Sequence, residues 1–138
     1  LVHVLRNLKN QKGQSVTEFA VILPVFILLV TGVLVIGSVI YAKTIVVLAS
    51  SQGARVGGAI YNDDTLTIEE KNNKVKNTAL TIVSNALVGE DREVNITHSG
   101  NEIEVEVIYE YHIPVGLIST IFGKGTMEIK HSSSYLIL

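Results

Sequence analysis

The sequence predicts an α+β fold: a long apolar N-terminal helix, then a second, amphipathic helix packed on a three-stranded antiparallel sheet. Three observations predict it. Residues 19–42 contain no charged side chain, residues 68–88 repeat their apolar positions at helical spacing, and from about residue 93 that repeat drops to two. At 138 residues, 47% apolar and 17% charged, the chain is too aliphatic for disorder, and 11 Gly with 2 Pro exclude collagen-like and low-complexity classes. The absence of Cys removes disulfide scaffolds, thiol catalysis and Cys-ligated metal centres. A formal charge of -2 supplies no basic field for nucleic acid.

Charge placement divides the chain into three parts. Residues 1–13 form a basic leader or cytoplasmic segment carrying Arg6, Lys9 and Lys12 and no acid. Residues 14–61 read as the long N-terminal helix, transmembrane over 19–42, and 62–138 as an exported α+β domain. Residues 44–138 hold 7 basic and 12 acidic residues, so the exported part is acidic. The 24 residues of the uncharged run would span about 36 Å as a helix, against roughly 30 Å of hydrocarbon in a bilayer. A cleaved secretory signal has a shorter apolar core, about 7–15 residues. The basic flank places the N-terminus inside.

Two residues do not suit a passive anchor. Glu18 sits at the edge of the apolar run, and a carboxylate at the bilayer centre costs about 2.5–3.5 kcal/mol. It is either a solvated boundary charge or a carboxylate awaiting a cation in an assembly. Pro24 removes the hydrogen bond to the Ala20 carbonyl and favours a kink. Beyond Lys43 the residues turn small. Ala49, Gly53 and Gly57 recur every four residues, which lets helix backbones approach closely. Such packing suits a bundle of helices, and the competing reading is a helix end weakened by Gly. Arg55, the only charge between Lys43 and Asp63, would want a carboxylate in a packed core. The helix is expected from about Thr17 to Tyr61, with Asn62-Asp63-Asp64 as a turn.

A second helix is expected over Ile68–Val88. Thr67-Ile68-Glu69-Glu70 reads as a capping box and Gly89 as the stop. Lys71, Lys74 and Lys76 read as solvated charges flanking its apolar stripe. Val94, Ile96 and His98 then alternate with polar residues, and Ser99-Gly100-Asn101 makes a hairpin turn. In the next strand Ile103, Val105, Val107, Tyr109 and Tyr111 share one face, with Glu102, Glu104, Glu106 and Glu110 on the other. Pro114 ends it, Gly116–Gly125 is a loop or short helical turn, and a third strand runs over Thr126–Leu138. Glutamates about 7 Å apart along a strand cannot readily share one calcium, whose oxygens lie at about 2.3–2.6 Å, so the row reads as a solvated sheet face. It could also meet basic side chains of a neighbouring subunit.

No catalytic constellation emerges, and no metal ligands, cofactor or small-molecule substrate are expected. His3, His98, His112 and His131 are scattered, with His98 and His131 on inward faces. Ser132-Ser133-Ser134 lacks an elbow motif, and Gly123-Lys124-Gly125-Thr126 lacks the first Gly of a phosphate loop.

Gly13-Gln14-Ser15-Val16-Thr17-Glu18-Phe19, followed by Ala20-Val21-Ile22-Leu23-Pro24, resembles the start of TadE-like proteins, pilin-like subunits of tight-adherence (Flp-type) pili related to type IV pilins. Tyr41-Ala42-Lys43 and Gly53-Ala54-Arg55 resemble that family's second block. The resemblance implies processing by a prepilin peptidase between Gly13 and Gln14. Glu18 would then pair with the new Gln14 amino group, in the same or a neighbouring subunit, and opposite charges attract strongly at low dielectric. It further implies an assembly platform and a helical filament of this and other pilin subunits, major or minor. The chain would begin in the cytoplasmic membrane and end in an extracellular filament. The alternative is a single-pass membrane protein that never polymerises and presents a binding or scaffold domain.

Overall fold

The helix expected from Thr17 starts earlier, because nothing upstream stops it. In the computed structural model, which describes residues 2–113, 116, 123 and 125–137 (side chains from Gly13 onward), α1 runs Val2–Ile60. Leu5, Arg6, Leu8, Lys9, Gln11 and Lys12 are good helix formers, and a single Gly13 costs about 1 kcal/mol, too little to end a helix. Pro24 lies within α1 and does not interrupt it.

The chain separates into two compact units, Leu1–Gly37 and Ser38–Leu138. In the first, side chains from Gly13 to Gly37 are exposed except for half-buried Thr31, Gly32 and Val35. Val16, Phe19, Val21, Ile22, Val25 and Phe26 are each more than 60% exposed. A helix apolar on all sides cannot remain in water, and its natural surroundings are lipid or other helices.

The second unit is a two-layer sandwich. Three antiparallel strands, β1 (Arg92–Ser99), β2 (Glu102–His112) and β3 (Thr126–Leu136), lie in the order β1-β2-β3. The β1–β2 turn has Gly100 at φ +61 and no positive φ at Asn101, the pattern of a type II′ turn that needs Gly first. Register pairs Ser99 with Glu102 and Arg92 with Tyr109, then Glu102 with Leu136 and His112 with Thr126. Ile103, Val105, Val107, Tyr109 and Tyr111 are buried, as their alternation predicts, while Glu102, Glu104 and Glu110 are exposed and Glu106 is half-buried. Pro114 and most of Gly116–Gly125 lie outside the described residues.

Helix α2 (Ile68–Ala86) covers the β1 side of the sheet. The capping box forms: the Thr67 hydroxyl accepts from the Glu70 N–H at 3.3 Å, and the Glu70 carboxylate accepts from the Thr67 N–H at 2.8 Å. The helix ends at Ala86 rather than Val88. Extended Leu87 is the cap, its N–H donating to the Val83 carbonyl, and Gly89 (φ +117) redirects the chain beyond it. The Tyr109 hydroxyl donates to the Val88 carbonyl at 2.7 Å and ties this connection to the sheet.

The other half of the helix layer is α1 itself, an addition to the expected single helix on the sheet. Ala42, Val46, Ala49 and Ala54 join Val75, Ala79 and Val83 of α2 and the inward residues of β2 in one core. Contacts advance in step along both elements. Lys43 Nζ donates to the Lys130 carbonyl, and Ser50 and Ser51 share hydrogen bonds with Ser133 at 2.9 and 3.2 Å. Gly58 faces Tyr135, so this part of α1 runs parallel to β3.

Lys71 departs from the expected solvated charge. Only 7% exposed, it donates to the Tyr61 carbonyl at 2.7 Å and lies 5.5 Å from the centre of that ring. A cation at the C-terminal end of α1 complements the unpaired carbonyls there. His98, whose inward face made it a core or rim histidine, lies exposed at the rim. Its ring lies 4.4 Å from that of Tyr61 and its Nε2 is 3.3 Å from Asn72 Oδ1. Partial burial lowers its pKa below the ordinary imidazole value.

Candidate functional site

The residues singled out for assembly fall into two groups, one in each unit. Gly13, Gln14, Glu18 and Pro24 belong to the first. The Gly13–Gln14 peptide bond lies inside α1, where the Thr17 hydroxyl donates to the Gly13 carbonyl at 2.9 Å. One turn separates Gln14 from Glu18, and the Gln14 side-chain amide donates to Glu18 Oε1 at 3.2 Å. Glu18 is exposed, and no ion pair reaches it among the described residues. Its carboxylate thus stands on an apolar helix with a neutral amide as partner. Such a group gains most from a cation brought to it in a medium of low dielectric. Pro24 is exposed six residues further on.

Ala49, Gly53 and Gly57 belong to the second unit, and their partner there is this chain's own domain. A Cβ on Gly53 would lie 3.2 Å from Val105 Cγ1 and 3.4 Å from Ala79 Cβ. On Gly57 it would lie 2.4 Å from Ile103 Cδ1 and 3.3 Å from Val75 Cγ2. The glycines therefore admit both β2 and α2 against the α1 backbone. Arg55 lies on the exposed side of α1, away from the core in which a carboxylate would have been required.

Two contacts escaped sequence reasoning. Ser133, the middle of three serines, is the partner of Ser50 and Ser51 rather than an isolated nucleophile. Ser38 and Tyr111 share a hydroxyl–hydroxyl hydrogen bond at the other end of the same interface. The paired signal was present in both strings, Ser50-Ser51 on an inward helix face and Ser133 in phase with Ile129, but only the fold brings them together.

The apolar run also divides at the boundary between the units. The stretch from Gly13 to Ile60 is long and apolar enough to cross a membrane, yet Ala42 is 1% exposed and Val39 packs on the domain core. Ser38, Val39 and Ala42, at the end of the expected transmembrane span, thus serve the sandwich, while Ile40 and Tyr41 stay exposed, so the stretch exposed on nearly every side ends near Gly37. Nineteen residues from Phe19 to Gly37 still cover about 28 Å, close to the hydrocarbon thickness.

Comparison with curated proteins and with solved structures gives no match. A membrane protein related to pili fits both the apolar helix and the family comparison. Residues 13–55, from the Gly13 of the first motif to the Arg55 of the second, match the family model of TadE-like proteins.

Proposed function

We propose that the chain is a structural, non-catalytic pilin-like subunit, stored in the cytoplasmic membrane and assembled through its N-terminal helix into an extracellular pilus filament. The observation that carries this reading is the Gly13–Gly37 stretch of α1, apolar on every side and carrying one carboxylate at its start. Transfer from lipid to a bundle of neighbouring helices keeps those side chains out of water throughout. Cleavage after Gly13 would convert the Gln14 nitrogen from a helix amide into an ammonium group near Glu18. A peptidase must first open the helix there, and Gly13 is the residue at which opening costs least. The partners on this reading are other pilin subunits, a prepilin peptidase and an assembly platform.

Glu18→Ala is expected to abolish incorporation into filaments while membrane insertion and domain folding persist. Electron microscopy of sheared extracellular material, with mass spectrometry of the N-terminus, checks it. Normal incorporation of the variant removes the charge-pairing mechanism, and an intact N-terminus in filaments removes the cleavage. A second reading, a single-pass protein that never polymerises, is favoured by the burial of Ala49, Gly53 and Gly57 inside their own domain. It predicts that the chain stays in the membrane fraction with residues 1–13 retained.

A further inference from the structure

Where α1 enters the domain, β2 and β3 come to an end beside it. The parallel course of α1 and β3 brings Lys43 to Lys130 and Ser50 to Ser133, so β3 residues before Lys130 lie toward the Ser38 end. At that end Ser38 and Tyr111 share their hydroxyl hydrogen bond, and Met127 is the strand partner of Tyr111. The Ile113 N–H donates to the Gly125 carbonyl at 2.9 Å and holds the two strands together there. Met127 is 44% exposed, and Ile40 and Tyr41 of α1 are 61% and 53% exposed. Within the sequence that joins β2 to β3, residues 114–122 carry no charge. The nearest acids stand on the outer face of the sheet, where Glu110 lies across from Glu128 and Asp91 meets His112 at 3.7 Å. The helix-facing side of this end is thus apolar.

We infer that this end of the sheet, at Met127, rests in the headgroup layer of the bilayer that α1 crosses, so that the domain touches the membrane at a second point. Covalent continuity names the occupant. Ser38 follows directly on Phe19–Gly37, the stretch whose length matches the hydrocarbon. Each headgroup layer adds roughly 5–7 Å, which is about four residues of helix and takes in Ser38 to Tyr41. Tyr111 is hydrogen-bonded to Ser38 and Met127 lies beside it, so both stand close to that depth. Tyrosine favours this layer, and an exposed methionine gains by leaving water. The inference rests on reading Phe19–Gly37 as the membrane span, and it names the part of the exported domain that meets lipid. Extraction into a filament would then have to release the sheet as well as α1.

The chain has no Cys, so a single introduced cysteine carries a fluorescent label at one known site. Leu28→Cys, Ile40→Cys, Ser99→Cys and Met127→Cys, each in the full chain, are labelled and placed in phosphatidylcholine vesicles doped with nitroxide lipids. The nitroxide sits either on the headgroup or deep in the acyl chain. Ser99, across from Glu102 at the far end of β2, is the reference, about 30 Å from Tyr111. Headgroup nitroxide is expected to quench the label at 127 as strongly as the label at 40, and about threefold or more above the label at 99. Thermal unfolding of each labelled chain checks that the domain is intact. Gly125→Cys, where among the described residues an added Cβ meets nothing within 4 Å, reports on the same end if labelling at 127 lowers stability. A label at 127 or 125 quenched no more than the label at 99, while deep nitroxide quenches the label at 28, overturns the contact and keeps the span. A label at 28 that deep nitroxide leaves unquenched overturns the span itself, and the contact with it.

Discussion

Gly53, Gly57 and Gly58 show how tightly α1 is held, and how differently three glycines on one helix respond to the same added methyl group. A Cβ on Gly58 would fall 2.4 Å from Tyr135 Cδ1 and 2.7 Å from the Leu136 carbonyl oxygen, which is backbone and cannot turn aside. On Gly57 the tightest contact is the tip of the Ile103 side chain, and on Gly53 it is Val105 Cγ1 at 3.2 Å. Replacing Gly by Ala gains about 1 kcal/mol of helix propensity, whereas overpacking costs about 1–3 kcal/mol and sometimes more. The expected order of destabilisation is Gly58→Ala, then Gly57→Ala, with Gly53→Ala near neutral. Thermal unfolding of the three variants in detergent checks this, and an equal loss at all three would contradict the close-approach account. Lys71 is the residue where periodicity carried more information than residue type. It is in phase with Val75, Ala79 and Val83 on the buried stripe, so its position was legible, but its partner was not. The Tyr61 carbonyl that accepts its hydrogen bond lies just beyond the end of α1, ten residues upstream.

Among the elements, α2 is the one whose start local sequence specifies most completely. Thr67 and Glu70 satisfy each other's backbone N–H groups, so the capping box needs no tertiary support. Thr67→Ala should cost about 1 kcal/mol in unfolding free energy. The hydrogen bond from the Thr67 N–H holds the Glu70 carboxyl below its ordinary value, and bonds from Thr65 do the same for Asp63. Because both folded pKa values are depressed, the contribution is fully present above the unfolded carboxylate values. It is lost as pH falls from those values through the folded ones. Unfolding midpoints measured from about pH 6 down to pH 3 should therefore fall less steeply for Glu70→Gln, which keeps the capping hydrogen bond without a titrating group. Helix α1 lies at the other extreme. Its apolar run is readable residue by residue, but its continuation upstream of Thr17 reflects only the lack of any stop signal. Its division near Gly37 depends on Ala42 and Val46 finding Val107, Tyr111 and the rest of the core.

For the whole molecule, the core draws, among the described residues, on none before Val39, directly or by packing against it. A chain beginning at Ser38 should therefore fold without detergent and unfold cooperatively, as small single domains do. Circular dichroism during heating checks this. A broad transition without a baseline would show that the first unit is needed for the fold.

Three strands, their facing and the hairpin at Gly100 were all legible, since alternation of apolar and acidic residues is a local property and a solvated sheet face enforces it. The same holds for the apolar helix, its basic flank and the motif from Gly13 to Pro24. The tertiary structure alone decided what the small-residue stripe packs against. Spacing shows that a backbone can approach Gly53 and Gly57 but carries no record of which one, and in this fold the approaching elements are β2 and α2.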